Sequence, residues 1–61
     1  MKLRIINSDY AGNWYHAMIG ETFDVIDVDF MHELLVVDRT EINEKSVRFS
    51  DAEVFNEAER N

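Results

Sequence analysis

The strongest constraint on this chain is that a fold of only 61 residues must form without any cysteine. A domain of this size buries only about 60% of the surface that its unfolded chain exposes, so each core side chain carries a large share of the stability. No disulfide and no thiolate zinc site can reinforce the core. The apolar fraction of 46% is nevertheless typical of globular proteins. The sequence therefore predicts one small domain with a single apolar core.

Short runs of alternating character predict that this core is built from strands. In residues 1–6 apolar and basic side chains alternate, which is the period of a half-buried strand. Residues 22–28 predict a second strand whose apolar face changes side midway, and such a change indicates a bulge or a sharp bend. Residues 34–37 predict a third strand and residues 46–49 a fourth.

The end of the chain allows two interpretations. Ser50 and Glu53 match the capping box that begins a helix, so residues 51–60 form a terminal helix in the first interpretation. The apolar stripe of that helix would be thin for so short an element. In the second interpretation, which we favour, the same box begins a single helical turn, residues 53–55 form a fifth strand and residues 56–61 are a flexible tail.

A long segment, residues 7–21, separates the first two predicted strands and carries Tyr10, Trp14 and Tyr15. Loops longer than about 12 residues in compact domains are usually functional or packed by their own side chains. Because Trp and Tyr are enriched at interaction hot spots, we take these three residues, joined by Phe55, as the candidate binding site and call them the aromatic patch. In the alternative interpretation, Trp14 or Tyr15 folds down and covers the open end of the core.

The end of the second predicted strand and the turn after it bring possible metal ligands close together, namely Asp27, Asp29, His32 and Glu33. Their spacing does not fit a calcium loop, because Met31 occupies a ligand position and His32 the position that requires glycine. We therefore expect no metal and no cofactor. No serine, histidine or carboxylate can be assigned to a set of nucleophile, base and orienting group, so we expect no enzymatic activity.

Thirteen acidic residues against six basic ones give a net charge of −7. Such a charge repels polyanions, and nucleic-acid binding needs a basic footprint, so nucleic acid is disfavoured as a partner even though Lys2, Arg4 and Arg48 can form a small basic spot. The charge also suggests a different function, an acidic inhibitor that mimics nucleic acid. The face of such a mimic would consist of seven carboxylates: Asp24, Asp27, Asp29, Glu33, Asp38, Glu41 and Glu44.

The sequence patterns predict a cytoplasmic protein. No apolar run approaches the roughly 18 to 20 residues of a membrane span, so no membrane is expected as a partner. Residues 1–6 are too short to be a signal peptide, and the lack of cysteine fits a reducing compartment. An exposed edge of the first strand allows at most a weak dimer, so we expect a monomer or a weak dimer.

The order of these features resembles an SH3-like barrel. Two motifs in the first half of the chain are similar to small SH3-like proteins that are encoded by phages and prophages of Gram-positive bacteria: Asp9-Tyr10-x-Gly12-x-Trp14-Tyr15 and Ile19-Gly20-x-x-Phe23-x-Val25. In the second half, the run that resembles a strand, a helical turn and a final strand is Val47-Arg48-Phe49-Ser50-Asp51-Ala52-Glu53-Val54.

This resemblance implies a mostly β fold in residues 1–55, a five-stranded SH3-like barrel with a long first loop and one short helical turn before the last strand. It also implies a function, that of a non-enzymatic binding module of phage or prophage type that contacts an unknown protein partner. The chain differs from SH3 domains that bind proline-rich peptides, because Trp14 lies in the first loop and proline is absent. The resemblance therefore does not extend to that ligand.

Overall fold

The computed structural model describes residues 1–39 and 44–56 and has a mostly β architecture of two small antiparallel sheets. The described residues form six strands and one 3-10 turn, which in chain order are β1 (Lys2–Ile5), β2 (Thr22–Asp24), β3 (Asp27–Asp29), β4 (Leu34–Arg39), β5 (Glu44–Arg48), the 3-10 turn (Phe49–Asp51) and β6 (Ala52–Phe55). The first sheet has the strand order β2-β1-β6 and the second sheet has the order β3-β4-β5.

The alternation predicted for the start of the chain is confirmed in β1. Leu3 and Ile5 are fully buried and Arg4 is exposed. In the ladders of the first sheet, Leu3 lies opposite Phe23 of β2 on one side and opposite Val54 of β6 on the other. These three apolar side chains share one face of the sheet, because directly opposed residues point to the same side. This face covers the core.

The second sheet presents a matching apolar row. Leu35 of β4 lies opposite Val28 of β3 and opposite Val47 of β5. The two rows pack together with the first long loop, and the buried cluster at the centre consists of Leu3, Ile5, Tyr15, Leu35 and Val47. The core is therefore one apolar layer between two short sheets, as expected for a domain of this size.

The strand predicted over residues 22–28 is bent, as expected, but it is divided into β2 and β3, so the predicted count of five strands is wrong and the structure has six. Val25 and Ile26 lie between the two halves. The Val25 N–H donates to the Met1 carbonyl at 3.0 Å, and the Ile26 N–H donates to the Val36 carbonyl at 2.8 Å. The division arises because each half pairs with a different sheet. The ladders of the described residues do not close into a barrel.

The interpretation of the chain end as a turn followed by a strand is confirmed, and the terminal helix is excluded because β6 pairs with β1. The predicted capping box does not form. The 3-10 turn begins at Phe49 with Arg48 as its N-cap and has no side-chain cap, which leaves Ser50 inside the turn and Glu53 in β6. Of the predicted tail, residues 57–61 lie outside the described residues.

The β4–β5 pair is longer than predicted. β4 continues to Arg39, and β5 begins at Glu44. The pairing register shifts between Val36 and Asp38, which places one extra residue in β4 and increases the local twist, as β-bulges do. Residues 40–43, at the centre of the predicted polar connection, lie outside the described residues.

Gly20 closes the long first loop onto β1. Its φ is 94°, and its N–H donates to the Ile5 carbonyl at 2.8 Å. We expect Gly20→Ala to lower the free energy of unfolding by about 1 kcal/mol, because side chains other than glycine are strained at positive φ. A Cβ at this position meets no atom within 4 Å, so a steric clash does not contribute. Urea unfolding measures the change, and equal stability of Gly20→Ala and the wild type would contradict this reading of the loop.

Candidate binding surface

Tyr15 of the predicted aromatic patch is a core residue and only 2% exposed. Its hydroxyl donates to Asp51 Oδ2 at 2.5 Å, and Asn7 Nδ2 donates to Asp51 Oδ1 at 3.1 Å. Asp51 is 1% exposed, and its backbone carbonyl accepts from the Ile6 and Asn7 N–H groups. Asp51 therefore connects the 3-10 turn to the long loop through its carboxylate and to the residues that follow β1 through its backbone carbonyl.

Burial raises the pKa of Tyr15 to about 12, and the hydrogen bond to Asp51 adds to this increase. The neutral phenol is therefore favoured in the folded state. Because an unfolded tyrosine titrates near 10, the contribution of Tyr15 to stability is complete below about pH 10 and is lost as the pH rises towards 12.

We expect the free energy of unfolding to fall by roughly 2 to 3 kcal/mol between pH 10 and pH 12 because of Tyr15. Urea unfolding at pH 8, 10 and 11.5 measures the decline. In Tyr15→Phe this decline in the free energy of unfolding should be absent. Tyr10→Phe should show the same decline as the wild type, because Tyr10 is exposed. Parallel pH profiles for all three proteins would show that Tyr15 does not carry the effect.

Trp14 is half-buried and covers one side of the core. Its Nε1–H donates to the Ser46 carbonyl of β5 at 2.8 Å, and its ring makes edge contacts with Tyr15 at 5.5 Å and with Phe23 of β2 at 5.4 Å between centroids. Lys45 Nζ lies 5.4 Å from the centroid of the indole. Trp14 therefore links β2 to β5, in agreement with the interpretation that loop aromatics fold down over the core.

Tyr10 and Phe55 lie apart from the other two residues of the aromatic patch. Tyr10 is 64% exposed, and its ring covers Gly12 so closely that a Cβ there would lie 2.5 Å from the ring. Phe55 lies opposite Lys2, on the outer face of the first sheet, with the Arg4 guanidinium 5.1 Å from its ring centroid. Among the described residues, ring contacts join Trp14 to Tyr15 but join neither Tyr10 nor Phe55 to them. The structure thus does not assemble the aromatic patch as one surface.

A different apolar surface lies between the two sheets, a groove of about 280 Å³. The first sheet contributes one lip and the second sheet the other, and the residues that line the groove are Met1, Val28, Phe30, Leu35, Phe49, Ala52 and Val54. Phe30 and Phe49 meet edge to face at 6.2 Å between centroids. Val54 is 47% exposed although it lies beside the fully buried Leu3. The groove is therefore an accessible extension of the core.

The turn between β3 and β4 forms one end of the groove. Phe30 is 78% exposed and Met31 is 85% exposed. The turn is held by Asp29, whose Oδ1 accepts the His32 N–H at 3.1 Å and whose Oδ2 lies 2.8 Å from His32 Nδ1. These hydrogen bonds from His32 hold the pKa of Asp29 below its usual value. Two large apolar side chains are thus presented outward beside an ionised carboxylate.

Glu33 ends this turn with a φ of 58°, and among the described residues it is the one non-glycine residue at positive φ. Its carbonyl accepts the Phe49 N–H at 2.9 Å, which connects the turn to the 3-10 turn. A backbone of this kind costs free energy for any residue with a Cβ. The turn that carries Phe30 is therefore fixed from both ends, by Asp29 and by Glu33.

Several acids of the predicted mimic face have cationic neighbours. Arg39 Nη2 lies 2.9 Å from Glu44 Oε2 and 3.3 Å from Asp27 Oδ2, and Lys2 Nζ lies 2.9 Å from Asp24 Oδ1. The bond to Lys2 lowers the pKa of Asp24. These pairs are exposed, so each contributes little to stability, but they reduce the net charge of this face.

Two of the three residues of the predicted basic spot, Lys2 and Arg4, are likewise paired. Arg4 Nη1 lies 3.4 Å from Glu53 Oε1, and Lys2 is the partner of Asp24. Glu41 of the predicted mimic face lies outside the described residues. Within residues 1–39 and 44–56, no three His, Cys, Asp or Glu side chains are grouped as metal ligands. In the same part of the chain, no helix has the length and apolar character needed to cross a membrane.

The chain matches no protein-family model, and no curated protein or solved structure shows significant similarity to it.

The groove was not predicted from the sequence, because its lining residues are distant along the chain. One signal was available. Phe30 and Met31 stand together in a short turn, where polar residues and glycine are the usual occupants. A large apolar pair in such a turn has no local structural purpose, so it indicates a packing or binding role.

Proposed function

We propose that this chain is a non-enzymatic SH3-like binding module that engages a protein partner through the groove. The strand order supports the SH3-like assignment, since the first strand pairs with the last, a bent segment contributes to both sheets, and a 3-10 turn precedes the final strand. The bent segment and the turn before the final strand are among the features on which the resemblance of the sequence depends. The assignment to phage and prophage proteins rests on that resemblance alone.

The observation that carries the binding function is the exposure of Phe30, which lines the groove, and of Met31, which follows it in the same turn. A chain this short needs its large apolar side chains in the core, and of the nine that are exposed among the described residues Phe30 and Met31 are the most exposed, which costs stability. Contiguous exposed apolar surface on a small protein commonly marks an interaction site. The groove is smaller than the roughly 300 to 1,000 Å³ of small-molecule sites and suits a few side chains of a peptide segment.

The aromatic loop supports this function less well. Trp14 and Tyr15 make their contacts within the core, and Tyr10 remains as its exposed aromatic residue. The second interpretation, an acidic mimic of nucleic acid, draws on the net charge alone, because Asp24, Asp27 and Glu44 have cationic neighbours. No specific observation favours it.

A peptide-display selection tests the proposal. A random peptide library is selected on the wild-type protein, and the retained peptides are tested on Phe30→Asp and on Tyr10→Asp. Both residues are exposed, so neither change should unfold the chain, and circular dichroism verifies this. We expect Phe30→Asp to weaken binding at least tenfold, which corresponds to the loss of about 1.4 kcal/mol, while Tyr10→Asp leaves it unchanged.

Two results would contradict the proposal. If Tyr10→Asp weakens binding and Phe30→Asp does not, the loop is the binding surface and the groove is not. If no peptide is retained by the wild-type protein, the proposed function itself is wrong.

A further inference from the structure

Resting on the proposed function, we infer that the groove takes a peptide segment whose apolar side chains are flanked by lysine or arginine. The groove itself offers only apolar contacts, since its seven lining residues are all apolar. The ligand must therefore supply apolar side chains for the interior. What selects one apolar segment over another is the charge around the groove.

The hairpin at one lip of the groove is acidic. Residues 27–39 contain four carboxylates against one arginine, with histidine counted as neutral. Asp29 and Glu33 stand at the two ends of the turn that presents Phe30 and Met31. Glu33 makes no ion pair with any described residue, and the partner of Asp29 is His32. The Glu33 carboxylate is thus available to a cation from outside, and the Asp29 carboxylate, although both of its oxygens bond to His32, adds negative charge beside it.

One base lies at the same end of the second sheet. Arg48 is opposite Leu34 in the β4–β5 ladder, and its charge acts on the buried hydroxyl of Tyr15. At this end of the second sheet the carboxylates of Asp29 and Glu33 therefore outnumber this one arginine.

Charge also decides between the possible occupants. A second copy of the chain would bring another net charge of −7 to the groove, and an anionic membrane would meet the same repulsion. A basic segment is attracted instead. At physiological ionic strength the Debye length is about 8 Å, so the charge of carboxylates at the lip of the groove is not fully screened from cations bound beside it.

Two matched pools of synthetic 12-residue peptides test the inference. Both have the same randomised apolar residues at the central positions, and the flanking positions are all lysine in one pool and all glutamate in the other. Fluorescence anisotropy measures binding to the full chain. In 50 mM salt we expect the lysine pool to bind about tenfold more tightly, and in 1 M salt we expect the difference to shrink to about twofold.

Variants of the carboxylates at the lip of the groove show which residues cause the preference for the lysine pool. Glu33→Gln and Asp29→Asn should each reduce the preference for the lysine pool, and Glu33→Lys should reverse it. Asp24→Asn is the matched control, because Asp24 pairs with Lys2 on the first sheet, and it should leave the preference unchanged. If the preference for the lysine pool survives Glu33→Gln and Asp29→Asn but falls with Asp24→Asn, the inference is overturned.

The remaining outcomes separate the inference from the proposed function. Equal binding of both pools, lost in Phe30→Asp, overturns the charge selection while the groove remains the binding surface. If neither pool binds and the display selection also fails, both are wrong. If sedimentation shows a wild-type dimer that Phe30→Asp converts to a monomer, the occupant is a second copy and the basic segment is overturned.

Discussion

Replacing Asp51 by alanine is expected to remove about 3 kcal/mol of stability, because the buried Tyr15 hydroxyl loses its acceptor and the Asn7 amide loses one of its two acceptors, the other being Asp9. Domains of 61 residues have about 3 to 9 kcal/mol in total. The change therefore removes between about one third and all of the stability of the domain. Few single changes can have such an effect, and this one has it because the carboxylate is buried and accepts hydrogen bonds from two residues of the long loop.

Urea unfolding and thermal melting measure the loss, at about 4 to 8 °C in melting temperature for each kcal/mol in a domain of this size. Asp51→Asn keeps one acceptor and should lose less. Tyr15→Phe combined with Asp51→Ala should cost little more than Asp51→Ala alone, since the two groups share one hydrogen bond. A melting temperature of Asp51→Ala equal to that of the wild type would refute this role of Asp51.

Trp14→Ala is expected to lower the free energy of unfolding by about 3 kcal/mol. The change removes the hydrogen bond to the Ser46 carbonyl together with the ring contacts to Tyr15 and Phe23. Tyr10→Ala, the matched change in the same loop, should cost about 0.5 kcal/mol or less because Tyr10 is exposed.

Denaturant unfolding of both variants distinguishes the structural residue from the exposed one. Intrinsic fluorescence cannot follow unfolding of the variant that lacks the tryptophan, so circular dichroism is the common signal. Comparable losses in the two variants would mean that the loop packs as a unit. A stable Trp14→Ala would mean that Trp14 is available for binding, as the sequence alone suggested.

Local patterns were sufficient to predict those elements whose formation depends on near neighbours. The alternation in residues 1–6 predicted β1 because one face of that strand is buried along its whole length. The change of face within residues 22–28 predicted the bend, although the division into two strands depends on the pairing of each half with a different sheet. The final strand was predicted from residues 53–55, one residue short of β6.

The buried polar contacts could not be predicted in the same way. Asp51 belongs to a turn, where aspartate is common for local reasons, and nothing in the sequence indicates that Tyr15 reaches it from 36 positions away. The aromatic patch was proposed because tyrosine and tryptophan are frequent at interfaces. In a chain this short the same residues are needed to fill the core, and Trp14 and Tyr15 serve that purpose.

The central claim is that the groove, rather than the aromatic loop, is the binding surface, and a chemical-shift titration tests it most directly. The lysine-flanked peptides are added to the ¹⁵N-labelled chain, and the backbone amide signals are followed. We predict that the largest shifts fall on Val28, on the turn with Phe30 and Met31, and on Phe49 and Val54, while Tyr10 and its neighbours stay unchanged. Shifts confined to the loop around Tyr10, with the groove residues unmoved, would contradict the account.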